Sequence, residues 1–203
     1  MTEIKLSDKF TDKLMNDTFI DVGSVWYHKY IWWVIDSKYG KVQSLDRFLS
    51  EQLKNPDERL INVAKNFTGT YNSKIIQILK FVHEDIRYLS DREVWNKNEY
   101  WPTAIKTLDK GTEDCDGMNS LIYILARLAG IPRWMIWCVI GKTAVGGHFW
   151  LNYYWSGKWY AIDATYHPDM RPIAFRPEFK LNINTYQDIW HVFNETRVYK
   201  YDK

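Results

Sequence analysis

A cysteine, a histidine and an aspartate occupy positions from which they could form a thiol acyl-transfer site. Cys115 begins an apolar helical stretch, and His148 and Asp163 follow on two successive strand-like runs. The unpaired N–H groups and the dipole of a helix N-terminus stabilise a thiolate. A carboxylate beside an imidazole fixes the tautomer of the ring and stabilises its charged form. The order predicts that Cys115, His148 and Asp163 form the catalytic site.

The residues next to Cys115 are themselves acidic. Asp114 and Asp116 would raise the pKa of the thiol if their carboxylates lie close to the sulfur. Alternatively they cap the helix and turn their charges outward. Both arrangements are compatible with the sequence, which does not choose between them.

The second cysteine fits a different role. Cys138 lies in the apolar run 137–140, where a free cysteine acts as a small core residue. A zinc site is the competing interpretation, but its candidate ligands match no compact zinc spacing: Cys115, Cys138, His148 and His167. We therefore predict no metal ion and no cofactor.

A short turn would bring the histidine and the aspartate together. Ser156 and Gly157 separate two strand-like runs and are typical of a tight hairpin turn. With these two residues as the turn, Asp163 lies opposite residue 150, and a slightly different turn places it opposite 148 or 149. In each case the two side chains meet near one end of the hairpin.

The rest of the chain alternates between helical and strand-like patterns. Apolar residues recur at helical spacing in three stretches before residue 90, and again from Met118 to Ala129, where Gly130 and Pro132 end the pattern. The third of these helices is predicted to end near residues 90–91. The tail has weak signals: a short helix over 186–193 and a strand over 197–201.

Composition limits the functional classes. The net charge is +2 over 203 residues, and no run of five basic residues occurs, so we predict no nucleic-acid partner. The chain starts without an apolar secretory segment and contains two cysteines, which favours a cytoplasmic protein with no membrane partner. Its 11 tryptophans and 14 tyrosines could line a binding groove, but core packing is the commoner use of such residues.

Several motifs in one order resemble the transglutaminase-like superfamily, a branch of the papain-like thiol fold. The similarity covers roughly residues 57–167, and 100–117 is similar to bacterial transglutaminase-like cysteine proteases in particular. The motifs that carry it are 86–88 (Ile-Arg-Tyr), 100–102 (Tyr-Trp-Pro), 111–117 (Gly-Thr-Glu-Asp-Cys-Asp-Gly), 129–132 (Ala-Gly-Ile-Pro), 147–150 (Gly-His-Phe-Trp) and 159–165 (Trp-Tyr-Ala-Ile-Asp-Ala-Thr).

The resemblance implies an α+β fold in which the cysteine-bearing helix packs on an antiparallel sheet. It also implies Cys115 as nucleophile, His148 as general base and then acid, and Asp163 as the residue that orients His148. The reaction it implies is amide or peptide acyl transfer through a thioester, on a protein or peptide substrate, most simply as a cysteine protease or amidohydrolase. Protein crosslinking and a non-catalytic binding module that retains the triad are the alternatives. The Cys115 N–H would be one oxyanion donor, and Trp95, Tyr100 and Trp101 are candidates for the second.

The resemblance also suggests how the chain is divided. We expect a helical N-terminal extension over 1–54, the catalytic core over 55–168, and a C-terminal extension over 169–203 that packs on the core. The two extensions could shape the groove, block it or mediate assembly.

Overall fold

The computed structural model describes residues 19–21, 44–166, 171–176 and 185–201. Within these ranges, the chain forms two short 3-10 helices, at Arg133–Met135 and Ile173–Phe175, and the following α-helices: α1 (Leu45–Lys54), α2 (Glu58–Lys65), α3 (Tyr71–Asp85), α4 (Asp91–Trp95), α5 (Ala104–Lys110) and α6 (Cys115–Leu128). Helix α6 is the central one, and it packs against α1, α2, α3, α5 and the main sheet. The start of α6 is therefore held from several sides.

The main sheet is antiparallel and has strands from both ends of the described chain. Its order is β1-β8-β7-β4-β5-β6, and a separate parallel pair joins β2 to β3. The strands are β1 (Phe19–Asp21), β2 (Arg87–Tyr88), β3 (Thr112–Glu113), β4 (Ile136–Thr143), β5 (Gly146–Trp155), β6 (Lys158–Ile162), β7 (Tyr186–Phe193) and β8 (Val198–Tyr201). These elements confirm the predicted α+β class.

The core fills both sides of this sheet, because its central strands carry apolar residues at almost every position. One cluster contains the buried face of α6 and residues such as Phe149, Leu151 and Tyr153. A second cluster is rich in aromatic residues: Trp137, Val139, Trp150, Trp159, Ala161, Val192 and Tyr199. These aromatic residues therefore pack in the core, which is the commoner of the two uses considered from the composition.

Local signals explain where α6 begins and ends. Asp114 is the N-cap, and its side chain accepts a hydrogen bond from the backbone N–H of Asp116. Gly130 follows the C-cap with φ +86°, a left-handed conformation that glycine adopts without strain. Pro132 then prevents the helix from continuing.

Two predictions about the elements were wrong. The segment predicted as a short helix, Tyr186–Phe193, is strand β7, because it pairs with β4 on one side and β8 on the other. Helix α3 ends at Asp85 rather than near residue 90, since Arg87–Tyr88 leaves the helix to pair with Thr112–Glu113. The strand predicted near the end of the chain is confirmed as Val198–Tyr201.

The division into three regions stays a prediction. Most of the expected N-terminal extension lies outside the described residues; its described parts are β1, which pairs with β8, and α1, which packs on α6. Across the described ranges, no helix has both the length and the apolar character that a membrane crossing requires.

Candidate active site

Cys115 is the first residue of α6, next to the strand that carries His148. The backbone N–H of Phe149, on β5, donates a hydrogen bond to the sulfur, and this contact favours the thiolate. Asn119 lies one helical turn further along α6. Its side-chain amide donates to the backbone oxygens of Cys115 (3.0 Å) and Phe149 (2.8 Å). Asn119 thus ties the start of the helix to β5.

The charges around the thiol act against its ionisation. Burial of the thiol, followed by the charges of Asp114 and Asp116, raises the pKa of Cys115 well above its usual value despite the Phe149 hydrogen bond. The sequence led us to expect a pKa lowered by the helix N-terminus. The structure differs because the thiol is buried and the carboxyl groups of Asp114 and Asp116 lie near the sulfur. The thiol is therefore neutral in the resting site.

His148 and Asp163 form a buried pair at the other side of the site. The distance between His148 Nε2 and Asp163 Oδ2 is 2.8 Å, with His148 6% exposed and Asp163 fully buried. Burial alone would raise the pKa of the Asp163 carboxyl, but hydrogen bonds from His148, the Thr165 N–H and the Tyr186 hydroxyl bring it below its usual value. Asp163 is consequently an anion that faces the imidazole.

The hairpin geometry explains why this pair meets. Leu151 pairs with Ile162, and Ser156 and Gly157 form the turn with φ angles of 49° and 83°. This register is the one expected from the sequence. Asp163 follows directly after the last residue of β6, where its side chain can turn back toward His148.

Cys115 and His148 border one cavity of about 340 Å³. Aromatic, apolar and acidic side chains share its wall. The lining residues are Tyr88, Glu99, Trp101, Asp114, Cys115, Asp116, Ile140, Gly147, His148, Phe149 and Trp190. The cavity has room for a few side-chain groups of a substrate beside the thiol.

The three groove candidates have different surroundings. Trp101 lines the cavity, and its indole N–H donates to Glu99 at 2.8 Å. The indole N–H of Trp95 donates to Glu113, and the Tyr100 hydroxyl accepts from Lys106 at 2.9 Å. An oxyanion role for any of the three stays a prediction. For Trp95 and Trp101, the indole N–H would first have to release its present acceptor.

Four carboxylates converge beneath the start of α6. One oxygen from each of Asp91, Glu113, Asp114 and Asp116 lies within 4.8 Å of the others. Burial is the main cause that raises the pKa of Asp91 and of Glu113 to about 7, and it raises the pKa of Asp116 well above its ordinary value. Protons retained at these raised pKa values reduce the repulsion within the cluster, and its oxygen atoms could also bind a hard ion such as Ca²⁺.

The alternative zinc site finds less support. Cys138 is buried in the core, and His167 lies outside the described residues. In the part of the chain that the structure describes, the closely spaced ligand groups are the four carboxylates and the overlapping set Asp114, Cys115 and Asp116. The prediction of no metal ion stays a prediction, and a cation in the acidic cluster is what would contradict it.

Two tyrosines at the site were not singled out from the sequence. Tyr88 lines the cavity, and Tyr186 donates a hydrogen bond to Asp163. Tyr88 belongs to one of the quoted motifs, so its place before the cysteine was an available signal. Tyr186 offers no such signal, because the sequence pattern predicts a helix there and strand pairing with β4 brings the residue to the site.

A helix that presents a cysteine against an antiparallel sheet, with a buried histidine–aspartate pair beside it, is the arrangement of papain-like thiol folds. The model of the transglutaminase-like superfamily matches residues 61–164, slightly more than half of the 203-residue chain. The chain therefore belongs to the transglutaminase-like superfamily.

One solved structure supports this fold, and two others show weaker similarity to the chain. EGTA-treated LapG from Legionella pneumophila is 12% identical with a TM-score of 0.53, covering 76% of this chain and 84% of LapG. Calcium-bound LapG from the same organism is 14% identical with a TM-score of 0.49, over 70% and 86%. A protein described as a TGase is 17% identical with a TM-score of 0.40. The similarity covers 88% of this chain and 42% of the TGase chain. No curated protein sequence is similar enough to count as a relative.

Proposed function

We propose that this protein is a cysteine enzyme that hydrolyses amide or peptide bonds in a protein or peptide substrate. Cys115 is the nucleophile, His148 the general base and acid, and Asp163 the residue that orients His148. The observation that carries the proposal is the buried His148–Asp163 hydrogen bond of 2.8 Å beside the cavity that Cys115 also lines. Membership in the transglutaminase-like superfamily supports the same class of reaction.

The first half of the reaction forms a thioester. Because the resting thiol is neutral, His148 takes its proton as the sulfur attacks the carbonyl carbon. The carbonyl oxygen becomes an oxyanion, for which the Cys115 backbone N–H is a donor at the helix N-terminus. The C–N bond then breaks, and the amine or ammonia leaves with the proton from His148.

The second half releases the acid. Water attacks the thioester carbon and gives its proton to His148. The C–S bond breaks, and the sulfur recovers the proton as the carboxylic acid departs. Asp163 stabilises the imidazolium in both halves, and with Nε2 bound to Asp163, Nδ1 is the ring nitrogen left for the thiol and the leaving group.

The direct test compares wild type with Cys115→Ala on casein and on a panel of glutamine-containing peptides. We expect peptide cleavage or ammonia release by the wild type and a loss of several orders of magnitude in the variant. Equal activity of the two proteins would reject Cys115 as the nucleophile. A labelled primary amine in the same assay separates hydrolysis from crosslinking, since crosslinking would attach the amine to the peptide.

An iodoacetamide label supplies an internal control. Cys138 is completely buried, so alkylation of the folded protein should modify Cys115 alone, as located by peptide mass spectrometry. The absence of both turnover and reaction at Cys115 would favour a non-catalytic binding module. We place the protein in the cytoplasm as part of the proposal, because both cysteines are free and the nucleophile must stay reduced.

A further inference from the structure

We infer that Tyr186, at the start of β7, is a positioning residue for the catalytic pair, acting on His148 through Asp163. Its hydroxyl donates a hydrogen bond of 2.9 Å to Asp163 Oδ2, the same oxygen that contacts His148 Nε2 at 2.8 Å. This inference rests on the proposed function, and it assigns a role to a segment that lies beyond the family match at 61–164.

The burial of Asp163 makes each hydrogen-bond donor important. The residue is fully buried, and an ionised carboxylate in such a place needs donors to replace water. Oδ1 accepts from the Thr165 N–H at 2.9 Å, and Oδ2 accepts from the tyrosine while facing the imidazole. Without Tyr186, Oδ2 would have the imidazole as its only donor among these three.

Packing keeps the tyrosine in place. Its ring contacts Trp150 with a centroid distance of 4.7 Å, and the indole of Trp150 is in turn stacked on His148 at 6.2 Å. The backbone of Tyr186 pairs with Thr143 just after a register shift in the β4–β7 ladder. The ring contact and the strand pairing together orient the Tyr186 hydroxyl.

The hydroxyl remains a donor over the working pH range. Burial and the negative charge of Asp163 raise the pKa of Tyr186 well above its usual value, so the phenol stays protonated. Among the described residues, other charged or titratable groups also lie near the pair. The charge of Arg176 acts on Tyr186, and the ring of Tyr166 lies edge-on to His148 at 4.6 Å. On the thiol side these groups are Cys115, Asp114 and Asp116.

The hydrogen bond has a predictable electrostatic effect. By sharing the charge on Oδ2, the tyrosine limits how strongly Asp163 stabilises the imidazolium. Tyr186→Phe should therefore raise the pKa of His148 by about 0.5 to 1 unit. It should also move the acidic limb of the kcat/KM profile to higher pH by the same amount, because the neutral imidazole is the base. We expect kcat to fall about threefold to tenfold as the ring loses orientation.

The experiment is an NMR titration of His148 in the full chain, with the resonance assigned from a His148→Gln sample. Tyr153→Phe is the matched control, because it removes a 2.8 Å hydrogen bond to Asn72 away from the site. The control should leave the His148 pKa unchanged. A second sample carries 3-fluorotyrosine at position 186, a stronger donor, and should shift the His148 pKa downward.

The outcomes separate this inference from the proposed function. An unchanged or lowered His148 pKa in Tyr186→Phe, or an upward shift with 3-fluorotyrosine, would overturn the role of Tyr186 while wild-type turnover still supports the enzyme. An inactive wild type in which the histidine titration still responds as expected would reject the proposed function but retain the Tyr186–Asp163–His148 coupling. If Tyr186→Phe does not fold, the fluorotyrosine sample decides.

Discussion

Two buried aspartates on opposite sides of the site, Asp163 and Asp116, are in opposite charge states. Asp163 is 0% exposed, accepts three hydrogen bonds and has a pKa below its usual range. Asp116 is 3% exposed, has no hydrogen-bond partner for Oδ2, and has a pKa well above its usual range. Burial is nearly equal, so the neighbours decide the charge: hydrogen-bond donors and His148 favour the anion at Asp163, whereas nearby carboxyl groups disfavour it at Asp116.

This difference divides the site into two parts with different requirements. On the imidazole side, Asp163 is a fixed anion whose charge does not depend on a bound proton or cation. The thiol side has four carboxylates, and its charge depends on protons or on a bound cation. The pH dependence of the thiol should therefore come from the acidic cluster, whereas the orientation of the base should not depend on it.

Removing the charge of Asp163 should have the largest effect. Asp163→Asn should lower kcat by about three orders of magnitude, because the amide favours the wrong imidazole tautomer. The measurement is peptide turnover at saturating substrate, with circular dichroism to check the fold. Asp109→Asn, at an exposed ion pair with Arg59, is the control and should leave the rate unchanged. A loss under tenfold in Asp163→Asn would contradict the role of the pair.

On the imidazole side of the site, the sequence was sufficient to bring His148 and Asp163 together. The hairpin register follows from a two-residue turn, and the turn residues Ser156 and Gly157 are recognisable by type. Tyr186 was not predicted for a physical reason. The apolar residues of its segment have no strong periodicity, and the segment becomes a strand because it pairs with β4 and β8. The spacing of residues within one segment does not predict strand pairing between segments that are far apart in the sequence.

On the thiol side, a methyl group at position 117 should disturb the fold. A Cβ there would lie 2.9 Å from Glu113 Cβ and closer still to its Cγ. Gly117→Ala should lower the free energy of unfolding by about 3 kcal/mol, because Glu113 is fully buried and cannot move aside.

Urea denaturation measures this change, and Gly130→Ala is the matched control. Position 130 has φ +86° and open space around it, so its substitution should cost only about 1 to 2 kcal/mol of backbone strain. Equal losses in the two variants would mean that Glu113 does not fill the space beside Gly117.

Stability should depend on pH through Asp91 and Glu113. Their pKa values near 7 in the folded protein exceed those of the unfolded chain, so the folded state holds protons that the unfolded state has released. Stability is then highest at the acidic end and falls as pH rises from about 4.5 through 7.

Asp91→Asn removes one of these titrations. In buffer with EDTA, the wild type should lose about 1 to 2 kcal/mol more than this variant between pH 5.5 and 8. Thermal unfolding at each pH provides the comparison. Parallel curves for the two proteins would show that Asp91 is not protonated in the folded state.

The smallest expected effect is on the thiol itself. Asp114→Asn keeps an N-cap residue but removes a charge that raises the pKa of Cys115. Alkylation by iodoacetamide at pH 7 should become about threefold to tenfold faster. The control is Asp57→Asn, which alters the N-cap of α2 away from the site and should leave the rate unchanged. A slower reaction in Asp114→Asn would contradict the claim that the charge of Asp114 raises the pKa of Cys115.

Predicting the thiol side required distances that the sequence does not contain. Asp114 and Asp116 were recognised as possible opponents of ionisation, but their direction was left open. Asp91 joins them because β2 pairs with β3, which brings the chain just before Asp91 to the start of α6. Glu113, Asp114 and Asp116 are neighbours in the sequence, and this pairing adds Asp91 to them.

The most direct test of the account is to trap an acyl group on the protein. Wild type is mixed with cell lysate, quenched in acid and digested, and mass spectrometry locates any thioester and identifies its acyl chain. We expect an adduct on Cys115 in the wild type and none in Cys115→Ala. An adduct on another residue, or turnover of peptides with no thioester at Cys115 under rapid quenching, would contradict it.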